Sequence, residues 1–121
     1  MKRKIRNTIT GLKNIWKWRK TIYKDRDWDH WFIYEILKTK LKFQAEYMMK
    51  YGITEKANED AEKMLRCVDL IDKAQNEHYL DEAMKRENWT NENFDEAIKK
   101  HDACRKEVFD TLEKNIESWW D

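Results

Sequence analysis

Thr54-Glu55-Lys56-Ala57-Asn58-Glu59-Asp60-Ala61-Glu62-Lys63-Met64-Leu65-Arg66-Cys67-Val68-Asp69-Leu70-Ile71-Asp72-Lys73-Ala74 is the most ordered stretch of the sequence. Ala57, Ala61, Met64, Leu65, Val68, Ile71 and Ala74 recur at three and four residues, which lines them along one side of a helix while ten of the other fourteen positions are charged. The spacing predicts a helix capped by Thr54 and running to about Tyr79 or beyond.

The same period extends in both directions. Upstream, Ile5, Ile9, Leu12, Trp16 and Tyr23 mark a helix from about Arg3 to Lys24, with Ile15 and Ile22 widening its stripe. Lys24-Asp25-Arg26-Asp27-Trp28-Asp29 interrupts the pattern and offers Asp27 or Asp29 as the cap of a second helix, from about Trp28 to Tyr51. Gly52 is the expected left-handed residue that ends it. Downstream, Asn88 is the expected break, and Thr90-Asn91-Glu92-Asn93 opens a last helix striped by Phe94, Ala97, Ile98, His101, Val108, Leu112, Ile116 and Trp119.

Composition agrees with this reading. The 121 residues include two glycines and no proline, so hairpin signals are almost absent, and 40% of the side chains are charged. The expected fold is all-α: an antiparallel bundle of about four helices in a single domain, residues 1–121, with no repeat or linker to divide it. Helices of roughly 20 residues are long against a usual length of about 11, and long helices often complete their cores in an oligomer.

Several function classes have no support. The sequence lacks a phosphate-binding glycine loop, a dinucleotide fingerprint, a zinc-protease motif and a serine nucleophile motif; its single serine is Ser118. Cys67 and Cys104 lack metal or redox spacing and read as reduced core thiols. His30, His78 and His101 are widely separated, and His101 reads as a core or interface residue. No metal site, cofactor or catalytic residue is expected. The only enzymatic alternative is an all-α Mg²⁺-dependent nucleotide pyrophosphohydrolase, because Glu59 and Glu62, and likewise Glu92 and Asp95, stand three residues apart as paired oxygen ligands would. Solvated helix faces produce the same spacing.

Charge is unevenly spread although its total is only +1. Residues 1–26 balance at +9, residues 27–53 at zero, and the remainder at −8. Seven tryptophans add to the asymmetry, since Trp16, Trp18, Trp28 and Trp31 all fall in or beside the basic segment. Cations next to aromatic faces suit a phosphate joined to a base. The first helix could alternatively lie on a membrane or a nucleic acid, but its apolar face is expected to be consumed by the bundle, so neither is the expected partner. No hydrophobic run is long enough to cross a bilayer, and the first residues lack the apolar core of a signal peptide.

Trp16-Lys17-Trp18-Arg19-Lys20 and Asp25-Arg26-Asp27-Trp28-Asp29, followed by Tyr34, Leu37, Lys40, Leu41 and Met48, resemble a group of small, mostly helical bacteriophage proteins of uncharacterised function. The likeness covers about the first 52 residues. It implies a phage origin and action in the cytoplasm of the infected host, and it assigns no chemistry.

In that setting a small helical oligomer without catalytic apparatus suits anti-defence work: sequestration of a host immune nucleotide signal, cyclic or modified, by binding alone. The candidate nucleotide-binding residues are Arg19, Lys20, Lys24, Arg26, Trp28 and Lys40, with Arg26 gripping phosphate, the lysines adding charge and Trp28 stacking on a base. The rival expectation is a protein-binding inhibitor of a host factor, in which the tryptophans anchor the interface.

Overall fold

The computed structural model describes residues 1–85 and 90–120, and in them the chain is all-helical, with no strand. The expected break at Asn88 lies outside the described residues, as does Trp89. Five α-helices appear: α1 (Lys2–Lys24), α2 (Trp31–Tyr51), α3 (Ala57–Gln75), α4 (His78–Lys85) and α5 (Asn91–Asn115), followed by a short 3₁₀ turn (Ile116–Ser118). The chain divides into two compact units, residues 1–33 and 34–121, with the boundary inside α2.

Unit 1 consists of α1, the turn after it and the first residues of α2. The turn ends where the Asp29 side chain accepts the Trp31 amide at 3.0 Å, so α2 begins three residues later than expected. Asp29 is one of the two residues expected to cap it.

In unit 2, α3 runs antiparallel to both α2 and α5. On one side Lys38 of α2 reaches Asp72 and Gln75 near the end of α3. On the other, Arg66 pairs with Glu107, and the Cys104 thiol meets the Leu70 carbonyl. The core between them is Leu41, Ala45 and Met48 of α2, Ala57, Ala61, Met64, Cys67 and Ile71 of α3, Val108 and Leu112 of α5, and Trp119 beyond it. Ala45 and Ala61 are fully buried, as are Met64 and Ile71, so the core alternates methyl-sized and long side chains.

Helix boundaries depart from the periodicity in three places. Thr54 does not supply the first capped residue of α3; Lys56 stands there without a side-chain cap bond, and Thr54 contributes its carbonyl to the Ala57 amide. The third helix stops at Gln75 rather than near Tyr79, because Glu77 takes a left-handed backbone (φ 51°) and separates α4 as a fifth helix. Gly52 is not left-handed, since no described glycine has positive φ. The start of α5 is as expected: Thr90 is extended and its hydroxyl accepts the Asn93 amide.

A polar cluster joins α2 to α3 beside the core. The Lys38 ammonium lies 2.6 Å from Gln75 Oε1, 3.0 Å from Asp72 and 3.3 Å from Glu35, and the Gln75 amide donates to Glu35 at 2.7 Å. Each half-buried charge thus has an opposite charge or an amide dipole against it, which is what keeps such groups tolerable away from water.

Candidate functional site

Five of the six candidate residues belong to unit 1. Nine cations and no acid occupy α1 between Lys2 and Lys24. Lys20 and Lys24 stand one helical turn apart on one ridge, both exposed. Lys24 falls in the last turn, where the partial negative charge of unsatisfied carbonyls favours it. Arg26 folds back on that helix end: its Nη1 donates to the Asp25 carbonyl at 2.8 Å and the Lys24 carbonyl at 3.2 Å. Trp28, two residues on, is 82% exposed.

Arg19 points elsewhere. Its guanidinium lies 3.7 Å from the centre of the Trp16 ring and donates to the Trp16 carbonyl, so it serves the aromatic side of the helix rather than the lysine ridge. Lys40 is exposed on the part of α2 that belongs to unit 2. Lys20 and Lys24 thus share a ridge, Arg26 lies on the end of α1, the exposed Trp28 follows two residues later, Arg19 lies on Trp16, and Lys40 belongs to the other unit.

Sequence reasoning undervalued the apolar stripe of α1. None of its residues is buried, and Ile5, Ile9, Leu12, Trp16, Ile22 and Tyr23 are each about half exposed or more, although Arg19 lies over one face of the Trp16 ring. An open groove along this helix is lined by Lys2, Ile5, Arg6, Ile9, Thr10 and Lys13, mixing cations with branched aliphatic side chains. The period was legible; what the sequence could not supply was whether anything in the chain would cover it.

The acidic pairs are solvated. Glu59 and Glu62 on α3, and Glu92 and Asp95 in the first turns of α5, are all exposed. Among the described residues no three or more histidines, cysteines or carboxylates come together as a metal would need. His101 is half-buried, and its Nδ1 finds no hydrogen-bond partner among the described residues.

Cys67 and Cys104 are free and buried. Burial raises the Cys67 thiol from its ordinary 9.0 to about 11, and it raises Cys104 as well, with Glu107 adding to the effect. Between those values the folded chain holds a proton on Cys67 that the unfolded chain has lost. Unfolding then releases a proton, so stability is full below pH 9.0 and falls as pH rises toward about 11. Denaturant unfolding across that range should show the decline, and replacing Cys67 by Ala should lessen it, with Cys104 supplying what remains; a wild-type curve that is already flat would contradict the assignment.

No known family model matches this chain, and neither a curated protein nor a solved structure does.

Proposed function

We propose that this protein is a non-catalytic binding protein whose basic, aromatic unit 1 captures a phosphate-bearing ligand, namely a cyclic or modified nucleotide used as an immune signal by the host of a phage. The observation that carries the reading is the end of α1, where Lys20 and Lys24 share an exposed ridge, Arg26 folds back on the helix end and the Trp28 ring, two residues on, is exposed. Arg26 Nη1 is held on backbone carbonyls, which fixes the guanidinium and leaves its other N–H groups to meet phosphate oxygens. A base can stack on Trp28 at little conformational cost. Lys40 and Arg19 would join the site in a homo-oligomer in which one subunit's ligand meets another's cations. Capture by binding alone suits the cytoplasm of an infected cell, where the signal need only be withheld.

Calorimetric titration with a panel of cyclic nucleotides tests this. One member should bind, and Arg26→Ala should weaken it by about tenfold to a hundredfold, the worth of a charge-assisted hydrogen bond to phosphate. Circular dichroism should stay unchanged in that variant, since Arg26 touches only local backbone. A panel without any binder, or affinity indifferent to Arg26, would refute the reading.

The exposed rings of Trp16, Tyr23 and Trp28 favour a second reading, inhibition of a host protein through an aromatic interface. Pull-down of one host protein, lost in Trp28→Ala while nucleotide titrations stay blank, would establish it instead.

A further inference from the structure

We infer that α1 docks lengthwise on an anionic phospholipid bilayer, lying in the interface rather than crossing it. Three features of the helix point to that surface. Ile5, Ile9, Leu12, Trp16 and Tyr23 form one stripe along the helix, each between about half and nine-tenths exposed. Beside the stripe, Lys2, Arg6, Lys13, Lys20 and Lys24 form a ridge that no acid interrupts. The first turn carries Lys2, Arg3 and Lys4 and no acid at the end where the helix dipole is positive, so the helix is electrostatically disfavoured until negative charge is brought to it.

A bilayer surface with anionic head groups answers all three. The stripe enters the boundary of the acyl chains, the aromatic rings of Trp16 and Tyr23 sit at head-group depth, and the lysine stems run along the apolar surface with their ammonium groups at the phosphates. No described helix is long and apolar enough to span. Pairing with the same stripe of a second copy fits less well, because it would bring together two helices that each carry nine cations and no acid. Nucleic acid would use the cations and leave the stripe in water. The inference shares Lys20 and Lys24 with nucleotide capture but needs neither Arg26 nor Trp28, and its apolar stripe plays no part in that reading.

Flotation of the full chain with vesicles tests it. At low salt the protein should float with vesicles of phosphatidylglycerol and phosphatidylcholine and stay behind with phosphatidylcholine alone, and salt should release it. Leu12→Glu should lower partitioning by about tenfold or more, while Leu12→Met keeps it. Tryptophan fluorescence should be quenched by brominated acyl chains, and much of that quenching should vanish in Trp16→Phe. Failure to float at low salt, flotation indifferent to Leu12→Glu, or a stable oligomer that falls apart on Leu12→Glu would each overturn the inference, the last by showing that a second copy covers the stripe.

Discussion

Met64→Ala is expected to lower the unfolding free energy by about 3 kcal/mol, within the range for truncating a buried long side chain. Met64 is completely buried at the centre of unit 2, in a core it shares with Ala45, Ala61, Cys67 and Val108. Two terms add. Three heavy atoms beyond Cβ lose their apolar surroundings, and the space they leave persists, because neighbouring alanines have no side chain that can swing into it. Urea unfolding followed by circular dichroism should show the midpoint fall by roughly 1–2 M for a domain of this size. A shift of only a few tenths would mean that the core collapses around the gap. Met64→Leu, close in volume, should cost less than about 1.5 kcal/mol and serves as the control.

Gly52→Ala should destabilise by about 1–3 kcal/mol, and the reason is spatial. Backbone conformation is not the obstacle, since Gly52 has no positive φ. A methyl group there would press on the Met48 carbonyl oxygen and come within 2.5 Å of the Ala57 Cβ. The carbonyl already accepts the Gly52 amide at 2.9 Å and belongs to the last turn of α2. Neither neighbour is a flexible tip, so the α2–α3 connection must widen and loosen Met48 and Ala57 in the core. Unfolding should occur at lower urea, and Gly52→Ala combined with Ala57→Gly should recover part of the loss. An alanine variant as stable as the parent would show that the connection shifts freely.

The fold was legible wherever a local rule decided it. The stripes of α3 and α5 name most of the core, Thr90 caps α5 through its own hydroxyl, and the acidic turn does end in a capping aspartate. Glu77 was not legible, because a left-handed glutamate has no sequence signature; glycine or asparagine would have given one. Gly52 was misread because glycine answers two needs, unusual backbone and close approach, and only coordinates distinguish them. The candidate site divides in the same way. Arg26 and Trp28 lie as near each other as the chain makes them, whereas Lys40's relation to them depends on more than sequence distance, and Arg19's turn toward Trp16 depends on a rotamer. The Lys38 cluster was invisible, since Glu35 and Gln75 are separated by forty residues and neither belongs to a motif.

That cluster sets the alignment of two helices. Leu41, Ala45 and Met48 would find apolar neighbours if α2 slid along α3 by one turn, about 5.4 Å, because oily surfaces tolerate many alignments. Lys38 would not. The slide would carry it past Asp72 and Gln75, parting Gln75, only 5% exposed, from both the Lys38 ammonium and the Glu35 carboxylate. Four polar side chains therefore act as a vernier: among the alignments that grease would permit, one alone lets every mark coincide.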